Sequence, residues 1–197
     1  MAYLGIDRFI QDFDGGSRPT LFRVTVTDRS GVIKFSNRLT FYAKATSIPG
    51  STLGEITVPY LGRQIKVPGD RTFEDWTVTV LNTEDYTIRN EFEKWNRYYN
   101  GIVNNMVGDT TGAATTETSA PFWGHVTGCT ATVEQLNRKG QTVQKYELIA
   151  CFPKEVAAIE LAYDQNDTVS EFQVTFGYTY FQVKQGQGAQ LNLGGKR

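Results

Sequence analysis

SIPGSTLGEITVPYLGRQIKVPGDRTFEDWTVTVLNTEDYTIRNEFEKWNRYY, residues 47–99, is the stretch whose reading decides the fold. Its first part, residues 47–71, carries Pro49-Gly50 near one end and Pro68-Gly69 near the other, with two β-branched runs, 55–58 and 64–67, on either side of Pro59-Tyr60-Leu61-Gly62. Proline and glycine set turn geometry while isoleucine and valine favour extended backbone, so this part is expected to be a long protruding, hairpin-like excursion. Residues 75–81 follow as a strand, because Trp76, Val78 and Val80 alternate with Thr77 and Thr79. A helix over 87–99 comes next, with Asp85 as its N-cap and Asn100-Gly101 as its stop. Ile88, Phe92, Trp95 and Tyr99 recur at helical spacing and form one apolar stripe suited to packing on a sheet.

Outward from this stretch the chain reads as extended segments. Residues 21–27 alternate Phe22, Val24 and Val26 with Arg23, Thr25 and Thr27, and 32–35 make a short return or extension after the turn 28–31. Residues 37–45 alternate again, with Leu39, Phe41, Ala43 and Ala45 on one side, which predicts a second strand. Small polar residues over 107–121 predict a surface loop. Residues 122–135 and 142–152 form a hairpin about Asn137-Arg138-Lys139-Gly140, Cys129, Ala131 and Val133 facing one way. Residues 153–167 fit either a helical turn or an edge strand. The longest strand expected is 170–183, with Phe172, Val174, Phe176, Tyr178 and Tyr180 on one side. The two ends, an arm over 1–19 and a Gly- and Gln-rich tail over 185–197, show no sustained period. The fold expected is mainly β, two packed antiparallel sheets in a sandwich or barrel with one flanking helix, in a single domain of 197 residues.

Composition narrows the function. Twenty Lys plus Arg against 21 Asp plus Glu leave the chain near neutrality, without the bulk positive charge of a DNA-gripping protein. No apolar run approaches the ~20 residues that span a bilayer, and the first residues lack a secretion signal, so the chain is expected to be made in the cytoplasm and not to insert in a membrane. Two cysteines, Cys129 and Cys151, lack C-x-x-C spacing and read as reduced, partly buried thiols. The single histidine, His125, has no nucleophile motif beside it. There is no G-x-x-x-x-G-K-[ST] and no G-x-G-x-x-G in the chain, and no metal-ligand spacing. An enzyme is not expected, and no cofactor is called for.

The ordered set of Pro49-Gly50, an excursion closing on Val67-Pro68-Gly69-Asp70, the strand entry Phe73-x-x-Trp76-Thr77, Arg89-x-x-Phe92-x-x-Trp95 on the helix and a closing aromatic strand over 172–181 resembles the tail tube proteins of contractile-tailed, T-even-type bacteriophages. That resemblance implies a structural virion protein: six subunits close a ring, rings stack into a hollow conduit, a sheath surrounds it, and genomic DNA passes through without specific binding. It implies baseplate, sheath and tube-terminator proteins as partners. It also implies that the excursion reaches the adjacent ring, with Pro49, Gly50, Leu53, Ile56, Val58, Tyr60, Arg63, Ile65, Val67, Pro68 and Asp70 as contact candidates. Thr77 and Thr79, on the wet face of their strand, are expected to line a polar lumen. Two further readings stay open from the residues: the inner tube of a secretion or extracellular injection machine, and a monomeric β-sandwich binding module.

Overall fold

The structure is a computed structural model that describes Ile6, Phe13 and residues 16–28, 38–99, 129–163 and 168–185. In chain order its elements are β1 (Phe22–Asp28), α1 (Arg38–Tyr42), β2 (Ala43–Thr46), β3 (Ser51–Tyr60), β4 (Arg63–Phe73), β5 (Trp76–Leu81), α2 (Thr87–Tyr99), β6 (Cys129–Leu136), β7 (Thr142–Ile149), β8 (Phe152–Val156), β9 (Glu171–Gly177) and β10 (Tyr180–Gln185). The strands make two four-stranded sheets, β1-β6-β7-β10 and β2-β5-β9-β8, and a separate two-stranded ribbon, β3-β4. Every pairing is antiparallel. Neither four-stranded sheet closes into a barrel.

One apolar core joins the two sheets and α2. From the first sheet it takes Val24, Val26, Ala131, Val133 and Leu148, residues that face one another across the registers Val24↔Val133 and Val26↔Ala131. From the second it takes directly opposed pairs, Trp76↔Phe176, Val78↔Val174 and Val80↔Phe172. Alternation on both sheets therefore points large side chains inward, the condition for two layers to pack. Helix α2 lays Ile88, Phe92 and Trp95 onto this surface, with the Phe92 ring 5.8 Å from Phe176 and the Trp95 ring 6.2 Å from it. Tyr99 is half-buried at the end of the same stripe, its ring 6.2 Å from Phe152. At the helix start the Thr87 amide donates to the Asp85 carboxylate at 3.3 Å, while the Tyr86 carbonyl accepts the first helical bond from Asn90. Asp85 thus serves a first-turn donor from one position before the cap, and Tyr86 turns the chain with a φ of 50°.

Three sequence expectations change. Residues 38–42 are a short helix and not the middle of a strand, with extended structure confined to Ala43–Thr46. Leu39 and Ala43, four residues apart, satisfy a helical face as well as an alternating one, Tyr42 fits the helical face alone, and Leu39 is buried in the core. The run 170–183 is two strands in different sheets: β9 pairs with β5 and β8, β10 with β7. Its alternation slips a step near Gly177, where a side chain would come within 2.9 Å of the Phe152 ring, and beyond it Phe181 and not Tyr180 packs toward the core. The run 142–152 likewise breaks at Ala150, whose φ is 55°, and passes from β7 into β8 of the other sheet. The two crossings lie side by side, tied by Thr179 N–H to Ile149 C=O (3.1 Å) and Cys151 N–H to Cys129 C=O (3.1 Å). The ambiguous segment after Pro153 begins as an edge strand, β8. The stop at Asn100-Gly101, the return 32–35, the loop 107–121 and most of the arm and tail lie outside the described residues, as does His125.

Candidate assembly surfaces

The ribbon β3-β4 is the excursion expected from the sequence, longer and more regular than the two short runs implied. It pairs from Ser51↔Phe73 to Tyr60↔Arg63 around a two-residue turn, Leu61-Gly62. Both turn residues have positive φ, 45° and 75°, the geometry that matches the twist of a tight hairpin. A leucine in that conformation is uncommon, and this one is 87% exposed.

The two faces of the ribbon differ. Ile56↔Val67, Val58↔Ile65 and Tyr60↔Arg63 share one face; Glu55, Thr57 and Pro59 oppose Pro68, Lys66 and Gln64 on the other, where Lys66 and Glu55 pair at 3.0 Å. Ile56, Val58, Tyr60, Ile65 and Val67 are all exposed, so the subunit carries an apolar ribbon face that its own fold leaves uncovered. Near its base the pairing shifts register between Leu53 and Glu55. There Gly54 and Gly69 pass so closely that a methyl group on Gly69 would lie 3.2 Å from the Gly54 carbonyl.

The root of the ribbon is fastened to the body. Trp76 donates its indole N–H to the Ser47 carbonyl at 2.9 Å, Thr46 donates to the Thr77 carbonyl at 3.2 Å, and the Phe73 ring meets Phe181 edge-on at 5.5 Å. Pro49 belongs to this root: it is buried within the subunit, unlike Gly50, Leu53, Pro68 and Asp70, which are exposed. Thr77 and Thr79 are half-buried on the outer face of β2-β5-β9-β8, and Thr79 lines a cavity there.

A second surface was not legible from local sequence, because edge position depends on strand order. The edges of the first sheet, β1 and β10, are regular and free of proline. Those of the second are blunted: β2 is four residues long with a register shift, and β8 contains Pro153 and another shift. On the outward face of the first sheet, Thr25, Thr27, Thr130 and Thr132 sit among charges held in pairs. Glu134 lies 3.7 Å from Arg23 and 3.4 Å from Lys145, and Glu147 pairs with Lys184.

This combination of sandwich, flanking helix and projecting ribbon can be set beside known proteins. A family profile described as phage tail tube protein matches residues 17–184. The chain belongs to the phage tail tube protein family. It is 32% identical over 180 residues to the tail tube protein gp19 of Enterobacteria phage T4, covering 90% of this chain and 99% of that one. It is 29% identical over 141 residues to the tail tube protein of Serratia phage KSP90, covering 72% and 71%. Among solved structures it resembles a chain of the anti-feeding prophage baseplate (TM-score 0.59, 9% identity, 86% of this chain and 95% of that one). It also resembles a chain of the sheath-tube complex of an extracellular contractile injection system (TM-score 0.55, 14% identity, 92% and 98%). These two likenesses concern the fold. As a tail tube protein the subunit is a structural component of the virion, in a contractile tail of the T4 type. Among the described residues there is no cluster of metal-ligating side chains, and no helix is long and apolar enough to cross a membrane.

Proposed function

We propose that six copies join side by side through the free edges of the first sheet, β1 of one beside β10 of the next, and that the rings stack through the β3-β4 ribbon into a conduit for genomic DNA. The observation that carries this reading is the ribbon's uncovered apolar face on a firmly fastened root: an arm of this kind is satisfied only by a neighbour. Regular open edges in one sheet and blunted edges in the other support lateral continuation through the first sheet alone. The outward face of that sheet then forms the pore wall, in place of Thr77 and Thr79. Its threonines and paired charges present DNA with a surface on which few phosphates are neutralised, so few counterions are released and the duplex slides. Contacts with sheath, baseplate and tube-terminator proteins complete the tail, and assembly takes place in the host cytoplasm.

Relatives at about 30% identity are phage proteins, whereas the injection-system chains share only the fold, which favours DNA over protein as the cargo. Negative-stain microscopy of the purified protein across a range of concentrations tests the assembly: rings and hollow tubes are expected. A uniform population of monomers at every concentration and salt overturns it.

A further inference from the structure

We infer that the tip of the ribbon is received by a defined socket on a second copy: the cavity at the opposite end of the β2-β5-β9-β8 sheet. The inference rests on the tube reading and adds the receptor that reading lacks.

Position comes first. The ribbon leaves the body where β2 ends and β5 begins, beside Trp76. The cavity, about 1230 Å³, opens at the other end of β5, against Leu81 and its partner Glu171, where residues 157–163 and 168–170 rise beside the sheet. Five residue steps along β5, ~17 Å, separate the two ends. Copies stacked in one orientation therefore bring the ribbon of one to the cavity of the next. A strand the length of β3, ten residues, reaches ~33 Å from its root, far enough to pass the junction and enter the neighbour.

Chemistry agrees. The cavity is bordered by Ile159, Leu161, Tyr163 and Val169, of which Leu161 is 84% and Val169 67% exposed. Tyr60 and Leu61 at the ribbon tip are their counterparts, 62% and 87% exposed. Arg63 is the single charge between Thr57 and Gln64, and it has no ion-pair partner among the described residues. Glu160 at the cavity is in the same condition, whereas Lys44 and Glu171 there satisfy each other. One surplus cation on the knob and one surplus anion on the socket fix polarity as well as affinity. Because knob and socket are different surfaces, the contact is head-to-tail and propagates; ribbon-to-ribbon pairing would stop at two copies.

Charge exchange tests the pair. Arg63→Glu and Glu160→Arg are each expected to raise the protein concentration needed for tube growth by roughly tenfold or more, and the double variant to restore growth toward wild type. Single variants that polymerise normally, or a double variant no better than the singles, overturn the socket. Tyr60→Cys with Leu161→Cys, oxidised by copper-phenanthroline, is expected to give a ladder of disulfide-linked copies in tubes and none in dispersed subunits. Tubes without the ladder, or with links inside one chain only, overturn the socket and leave the tube reading standing. Wild-type protein that never forms tubes overturns both.

Discussion

Trp95 is buried completely, with aromatic neighbours Phe92 and Phe176 at 6.5 and 6.2 Å. Replacing it with alanine opens a large hole between helix and sheet, so Trp95→Ala is expected to cost ~3–5 kcal/mol, read as a lower urea midpoint at unchanged slope. An unchanged midpoint would place the indole outside the core. Leu61 presents the opposite case, an exposed side chain held at positive φ. Left-handed backbone costs an ordinary residue ~1–2 kcal/mol, and asparagine tolerates it better. Leu61→Asn is expected to raise subunit stability by up to ~1 kcal/mol in urea titration while weakening tube growth in the same preparation. The thiols supply a third prediction. Burial, and secondarily the proximity of Cys129, hold the Cys151 thiol well above its ordinary pKa, and neither cysteine is in a disulfide. Little thiolate forms at neutral pH, so an aromatic disulfide reagent should leave the native protein almost unreacted and titrate two thiols once it is unfolded.

At the scale of elements, the ribbon is the part most separable from the rest, since its strands contribute no buried residue to the core. Removing residues 54–67 is expected to leave the thermal midpoint within a few degrees of wild type and to abolish polymerisation, checked by calorimetry and microscopy on the same sample. Tube growth by that variant would assign stacking to another element. The ribbon was readable because its signals are local: two β-branched runs about a turn that contains Gly62 favour a hairpin without help from tertiary contacts, whereas Pro68-Gly69, expected to bound the excursion, lies inside β4, which runs on to Phe73. The stripe Ile88, Phe92, Trp95 and Tyr99 was readable for the same reason, one period sustained over three turns. Elements that depend on distant partners were not. Whether Leu39 and Tyr42 sit on a helix or a strand is decided by the core that receives them, and the step at Gly177 exists because the Phe152 ring occupies the space a side chain would need. Edge status is less readable still. Nothing local marks the 22–28 stretch as an outer strand, and only the order β1-β6-β7-β10 makes it one.

For the whole molecule, the proposed side-by-side contact follows from the difference between the two sheets, one with open edges and one with blunted ones. Lysines on both free edges should repel across the junction without disturbing either strand within its own subunit. Thr25→Lys with Gln182→Lys is therefore expected to keep the monomer's circular dichroism and melting but to prevent ring closure at low ionic strength. Partial recovery should follow above about 0.5 M salt, where the Debye length shrinks to a few ångströms. Rings that form equally well at low salt would show that these edges do not adjoin. The blunted borders of the other sheet carry a mechanical consequence. In the ring proposed above only one layer would run on unbroken, a hoop laced together by main-chain hydrogen bonds, while the layer with the blunted edges β2 and β8 would remain a set of separate staves. Outward pressure would then be resisted by the hoop, and bending would be taken up in the gaps between staves, so such a cylinder would flex along its length and still hold its bore.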